Sequence, residues 1–275
     1  MKARDLLHLL GWTPRPRVYG REVRTFDLPG DGRVDYAQWL HPGETAKVIR
    51  QDVVDHLRSF LRPGDVAIDV GAHSGDSTLP MALAVGPSGR VLALEPNPYV
   101  FAVLASNAAL NPGKTAIVAL NFAATRQSGD IEFEYSDAGF CNGGRHEGIS
   151  RWRHGHAFRL KVRGEQLALY LREHYPDLVV RLRYVKVDAE GYDLAVLESI
   201  ADLIDQVRPF IRAEVFKLTP RTERQRLFAF FERRGYIVHH IVSETDYRGE
   251  VITGADVMRW AHFDCFAVPG DTATG

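Results

Sequence analysis

VAIDVGAHSGDSTLP, residues 66–80, decides how the rest of this chain is read. Val66 to Val70 is a short apolar run, the mark of a strand buried on both faces. Gly71 and Gly75 at its end let the backbone take conformations that a side chain would forbid, so a ligand can approach closely. From Ser77 the sequence turns helical, and Pro80 falls in the first turn, where its missing N–H is harmless. A helix starting there presents free N–H groups and a positive dipole end to whatever occupies the turn.

Downstream the alternation repeats. RVLALEP (90–96) is a second buried strand, a helix is expected from Pro98 to about Leu110, and TAIVALNF (115–122) gives a third strand. Strands alternating with helices in this way predict a parallel sheet covered on both faces. The alternation breaks over residues 124–164, which hold a strand at IEFEY (131–135) and a stretch rich in glycine, histidine and arginine. A helix from Glu165 to Tyr175 is expected next, then the strand YVKVD (184–188) and a helix from Leu194 to about Val207. PFIRAEVF, a helix from Pro220 to Arg234, YIVHHIV and HFDCFAVP complete the series. The last strand follows a short non-helical interval, too short for a right-handed crossover, so it should run antiparallel. The fold class is α/β, with seven core strands.

Upstream, residues 1–11 could form a short helix, and Val18 to Leu40 reads as a hairpin turning at Pro29–Gly32. A helix is expected from Glu44 to Leu61, with Val48, Val53, Val54, Leu57 and Leu61 near a helical period. The chain thus divides into an N-terminal helix-plus-hairpin cap (1–43) and a main domain (44–270) with an insertion at about 124–164. Composition is ordinary: 45% hydrophobic, 25% charged, with 34 basic residues against 35 acidic. That balance gives no reason to expect nucleic acid as a partner. The two cysteines, Cys141 and Cys265, carry no metal-site spacing. The opening run is broken by Asp5 and His8, and no stretch reaches the length that spans a bilayer. A cytoplasmic protein without membrane insertion is expected.

The turn after Val70 spaces its glycines GxxxG, not the GxGxxG that receives a dinucleotide pyrophosphate. Asp69 stands two residues before Gly71. Such an acid would repel pyrophosphate but could hold the ammonium of an amino acid, which favours a ligand like S-adenosylmethionine. A glycine turn without a ligand fits the same residues. Glu95 ends the second strand about 20 residues on, where an acid holds a ribose diol. Before Asn97-Pro98 it would equally serve as a helix-capping acid.

Farther along, Asp188 ends the fourth strand, Glu190 follows, and Glu214 ends the next. These acids could take a proton from a hydroxyl nucleophile, or Asp188 and Glu214 could hold Mg²⁺, which prefers oxygen ligands. Capping would also explain Asp188 and Glu190, and Arg212 or Lys217 could pair with Glu214.

DVGAHSGDST, LALEPNP, YVKVDAEGYDLAVLESI and RPFIRAEVF, in that order and spacing, resemble the FkbM family of methyltransferases. The likeness covers roughly residues 45–240 and reaches the closing FAVP; its most specific piece is KVDAEGYD, Lys186 to Asp193. It implies the class I methyltransferase Rossmann-like fold, a seven-stranded sheet with an antiparallel last strand. It also implies O-methylation of sugars or natural products with S-adenosylmethionine as cofactor. By resemblance Asp69, Gly71, Ala72, His73, Ser74, Gly75, Asp76 and Ser77 would form the methionine side of that site. Glu95, Pro96 and Asn97 would hold the ribose, with Asn121 to Ala123 near the adenine. His73 departs from the family, which usually carries a small polar residue such as asparagine there.

Arg145, His146, Arg151, Arg153, His154 and His156 fall between Asp137 and Arg159, with Phe140 and Trp152 among them. Such a loop could bind an anionic or carrier-bound small-molecule acceptor, or could be a solvated surface loop. His239 and His240 alternate faces of a strand and are read as structural. Two rivals stay open: an NAD-dependent oxidoreductase, although GxGxxG and a nearby Tyr-x-x-x-Lys pair are absent, and a non-catalytic nucleoside-binding domain.

Overall fold

The computed structural model describes residues 17–135, 143–144 and 158–270. A hairpin comes first, Arg21–Leu28 (β1) against Gly32–Trp39 (β2), followed by the helix Gln51–Arg58 (α1). Then come Val66–Val70 (β3), Thr78–Val85 (α2), Arg90–Leu94 (β4), Pro98–Ala109 (α3) and Ile117–Leu120 (β5). The insertion contributes Ala123–Thr125 (β6), Gly129–Tyr135 (β7), Gly143–Gly144 (β8) and Phe158–Gln166 (β9). Leu167–His174 (α4), Pro176–Val179 (α5), Leu182–Val187 (β10), Asp193–Ser199 (α6) and Ala201–Val207 (α7) lead back into the main sheet. Phe210–Val215 (β11), Arg221–Glu232 (α8), Tyr236–His240 (β12) and Phe263–Pro269 (β13) finish the described chain.

The main sheet has seven strands in the order β12-β13-β11-β10-β3-β4-β5. All are parallel except β13, which runs antiparallel between β11 and β12. This is the expected mixed sheet, with the last strand reversed; the segment 241–262 that leads into it holds no helix. Every residue of β3 is buried, as is every residue of α2, whose TLPMALAV is apolar all round. Strand order reverses beside β3, since β4 leaves to one side and β10 to the other, and ligands bind at the carboxyl ends of strands at such a point.

The hairpin packs on this layer. Val34 and Tyr36 join Leu79 and Leu83 of α2 in one core, while Ala37 and Trp39 join Val100 and Val103 of α3 in another. Two asparagines of the α3 region satisfy the edge of β2. The Asn107 amide donates to the Ala37 carbonyl (3.0 Å) and accepts the Ala37 N–H (2.6 Å). Asn111 does the same at Asp35, at 2.8 and 2.7 Å. The backbone groups of an otherwise open strand edge are thereby paired.

Three expected helices are corrected. Residues 44–50 are not helical: the Gln38 side chain accepts the Lys47 N–H (2.7 Å) and donates to the Thr45 carbonyl (3.4 Å), and Arg50 is extended. The helix placed at Glu165 starts at Leu167, because FRLKVRGEQ pairs in β9 with β7 and β6. Residues 193–207 form two helices that meet at Ile200, where the backbone leaves helical geometry (φ −119°, ψ 18°). The insertion is organised as a second sheet, β6-β9-β7-β8. The expected helix at 1–11, Cys141 and nearly all of the loop 137–159 lie outside the described residues.

Candidate active site

The turn after β3 is shaped by contact with the end of β10. A Cβ on Gly71 (φ +76°) would lie 2.0 Å from the Asp188 carbonyl oxygen, a distance no side chain tolerates. The Asp188 N–H in turn donates to the Val70 carbonyl (3.0 Å). His73 also takes a positive φ, +50°, a region in which asparagine, aspartate and histidine are enriched. Burial holds the His73 ring below the usual imidazole pKa range, and its Nε2 lies 3.9 Å from Glu44.

Asp69, fully buried, accepts from Lys186 Nζ (3.1 Å), Ser77 Oγ (2.9 Å) and Thr78 Oγ1 (2.7 Å). Glu95 at the end of β4 is also buried, with one carboxylate oxygen accepting the His73 N–H (3.0 Å) and the other the Asn97 N–H (2.8 Å). Burial pushes the Glu95 carboxyl up to about 7, against the two amides that favour its charge.

Between these corners lies a cavity of about 440 Å³. Gly71, His73, Asp76 and Ser77 line one wall, Glu95 to Asn97 the next, and Phe122 to Ala124 the end of β5. Lys186, Asp188, Glu190 and Arg212 line the opposite wall, and Glu44 and Lys47 of the extended segment complete the enclosure. Lys47 Nζ is 3.0 Å from Glu44 and 3.0 Å from Asp76. Burial works against the Asp76 charge, but the Lys47 ammonium outweighs it and holds the carboxyl below its usual range. A second, more open cavity of about 1040 Å³ adjoins the first and shares Ala124, Thr125, Ile131, Glu190 and Tyr192 with it.

The acids on the β10–β11 side crowd one another. Asp188 keeps 43% of its side chain exposed and has Lys186 Nζ at 3.4 Å. Glu190 sits in a positive-φ conformation (+51°); burial and the neighbouring Asp188 charge raise its pKa. Asp193 is buried, accepts the Glu214 N–H (3.0 Å) and the Ala189 N–H (3.4 Å), and is pushed up to about 8 by burial and Asp188. Glu214 is pushed up to about 9 by burial and then by Asp188, Asp193 and Glu190. Positive-φ backbone at His73 and Glu190 and raised carboxyl pKa values at Glu95 and Glu190 meet in this cavity, a concentration typical of functional sites; Asp193 and Glu214 stand behind it.

The family profile of the Methyltransferase FkbM domain matches residues 69–238, which carry both corners and the acid cluster. The chain belongs to the FkbM methyltransferase family. The hexuronic acid methyltransferase AglP of Haloferax volcanii is 29% identical over 165 residues, 60% of this chain and 62% of that protein. The match therefore spans less than two thirds of that relative's length. The methyltransferase sdnD of Sordaria araneosa is 26% identical over 216 residues, 70% of this chain and 82% of the other. Among solved structures, the methyltransferase FkbM of Methylobacillus flagellatus KT aligns with a TM-score of 0.44 at 12% identity, over 78% of this chain and 50% of that one.

In this FkbM domain the site residues expected from sequence divide into two sets. Gly71, His73, Asp76, Ser77, Glu95, Pro96, Asn97, Ala123, Asp188 and Glu190 meet at the one cavity. The others stand behind its wall. Asp69 accepts from Lys186 and from two hydroxyls, which ties the turn to β10 and α2, and it is not among the cavity-lining residues. Ala72 packs with Ala93 and Leu104, Ser74 Oγ bonds Tyr36 Oη (2.8 Å), and Gly75 (φ +96°) is closed in by Leu104. Asn121 directs its amide to the Glu95 and Pro96 carbonyls (2.8 and 3.2 Å), bracing the end of β4.

Glu214 lies off the cavity wall, with His262 at 3.4 Å from its Oε1. Among the described residues, no group of three or more His, Cys, Asp or Glu side chains is gathered as a metal site. Of the two acids expected to hold Mg²⁺, Asp188 lines the cavity and Glu214 does not. Lys186 pairs across the sheet with Asp69 of β3 (3.1 Å) and lies 3.4 Å from Asp188. His239 donates its Nδ1–H to the Gly249 carbonyl (3.1 Å), and the His240 ring stacks on Trp260 (4.2 Å). No helix among the described residues is long and apolar enough to cross a membrane.

Sequence reading missed Glu44, Lys47, Asp193 and Arg212. The first two were hidden in a helical period, and the third sat where a helix start explained it. Only the pairing of Arg212 with Asp264 and Tyr247 brings it to the cavity.

Proposed function

We propose that this chain is an S-adenosylmethionine-dependent O-methyltransferase acting on a hydroxyl of a sugar or natural-product-type small molecule. The observation that carries the reading is the Glu95 corner facing Asp188 across one cavity, within a domain of methyltransferase family. Each Glu95 oxygen accepts one backbone N–H, and a carboxylate has about four acceptor positions in all, which leaves room for both hydroxyls of a ribose. Phe122, Ala123 and Ala124 offer an apolar wall for the adenine beyond it. The cofactor, when bound, supplies a methyl group on a sulfonium, already activated for displacement.

The protein's own work is then alignment and removal of one proton. Asp188 is the base: it lines the cavity with 43% of its side chain exposed, and the Lys186 ammonium lies 3.4 Å away. The acceptor enters by the larger adjoining cavity, whose boundary with the first runs past Glu190 and Tyr192. Thr125, Gln127, Ser128 and Thr219 line that groove with hydroxyl and amide groups suited to a polyhydroxylated molecule. The names of the two relatives, one a hexuronic acid methyltransferase, are consistent with this class of acceptor. A cytoplasmic location belongs to the same proposal.

Calorimetric titration of the full chain with S-adenosylmethionine and, separately, with NAD tests the reading. Binding of the first and silence with the second is expected; tight NAD binding without any response to S-adenosylmethionine would overturn it.

A further inference from the structure

The extended segment 44–50 lies where a helix was expected, and it is held there. Gln38 takes the backbone of Thr45 and Lys47 on one of its amide groups, anchoring the segment to β2. The consequence is that Lys47, four residues short of α1, reaches the cavity wall between two carboxylates, each 3.0 Å from its ammonium. Asp76 comes from the turn before α2, and Glu44 from the segment itself. His73 packs between them and Trp39, with its ring 5.6 Å from the indole.

We propose that Glu44, Lys47 and Asp76 form the subsite for the free α-amino-acid end of S-adenosylmethionine, Lys47 taking its carboxylate and the two acids its ammonium. The inference rests on the cofactor reading above and deepens it. An acid–lysine–acid row matches a zwitterion group by group, because the ligand's two charged ends can replace the internal pairings one for one. Its net charge is negative, opposite to the net positive charge of the whole cofactor. Glu95 accepts the His73 N–H, while Lys47 is paired to Glu44 and Asp76, so nucleoside and amino acid would be held by different side chains of the same cavity. His73 is held uncharged by burial and therefore adds no second cation beside the ammonium.

The discriminating probe is 5′-methylthioadenosine, which keeps the nucleoside and thioether but lacks the amino-acid end. Calorimetry of the full chain compares both ligands on wild type, Lys47→Met and Lys47→Arg. For Lys47→Met, the Kd for S-adenosylmethionine should rise by about tenfold or more, while that for methylthioadenosine stays within about twofold. Lys47→Arg keeps the charge and should restore much of the loss, which also guards against a misfolded variant. Equal losses for both ligands would make Lys47 a merely structural residue and overturn the proposal, as would no loss for either. A wild-type chain that binds methylthioadenosine but gains nothing from the amino-acid end also overturns it, leaving the cofactor site standing. A wild type that binds neither ligand brings down the cofactor reading itself.

Discussion

On the β3–β4 side of the cavity each carboxylate meets a cation or amides: Asp69 has Lys186, Asp76 has Lys47, and Glu95 has two backbone N–H groups. On the β10–β11 side Glu190, Asp193 and Glu214 face mainly one another and Asp188, and their carboxyls are all displaced upward. The first arrangement is preorganised to receive a ligand of fixed shape. The second sets carboxyls that hold their protons beside Asp188, which has Lys186 at 3.4 Å and is partly exposed. On the proposed function, binding falls to the first half and proton handling to the second.

The division is broken most directly at Asp188. Asp188→Asn keeps the size of the side chain and removes its basicity, so turnover should fall by about 10²–10⁴-fold while the fold and cofactor affinity remain. Steady-state rates with parallel calorimetry check this, and near wild-type turnover would move the base elsewhere. Next in size is Asp69→Asn, which leaves the Lys186 ammonium buried with only Asp188 near it. The expected cost is about 3–5 kcal/mol of stability in denaturant unfolding. A loss confined to ligand binding, with stability unchanged, would return Asp69 to the ligand.

Glu95 sharpens the binding half. Glu95→Ala should weaken nucleoside binding by about 1–3 kcal/mol through lost charge-assisted hydrogen bonds. Its carboxyl, pushed up to about 7, must be ionised to accept from both ribose hydroxyls. Affinity should therefore fall as pH drops below about 7, by up to about tenfold per unit, and Glu95→Ala should abolish that slope. A pH-independent Kd between 8 and 6 would detach Glu95 from the diol.

The parallel core and the reversed β13 were legible because each strand is a local apolar run and each connection has a readable length. Gly71 and Glu95 were legible for a similar reason: the spacing from glycine turn to acid lies within one βαβ unit. The extended course of 44–50 was not legible. Its apolar residues do keep a helical period, and what overrides it is a glutamine side chain on β2. Asp69 looked like a ligand residue because its position is right; only the register Lys186↔Asp69 across β10 and β3 shows that its charge is already taken. Asp193 reads as an ordinary acid at a helix start. Its acceptance of a backbone N–H from β11, which buries it beside Glu214, depends on strands distant in sequence.

The smallest expected effect tests the proton-storing half. Glu214 is pushed from 4.5 up to about 9, first by burial and then by neighbouring acids. Between those values the folded chain keeps a proton that the unfolded chain has released. The stability tied to this group is complete below about pH 4.5 and is lost as the pH rises toward 9. Glu214→Gln is always neutral, so it should match wild type near pH 5 and exceed it by a growing margin in Tm as the pH rises toward 9. Thermal melts of both proteins across that range measure the difference. Parallel curves at every pH would mean that Glu214 ionises freely, and the crowding that distinguishes this half of the cavity would then have to be carried by Asp193 and Glu190 alone.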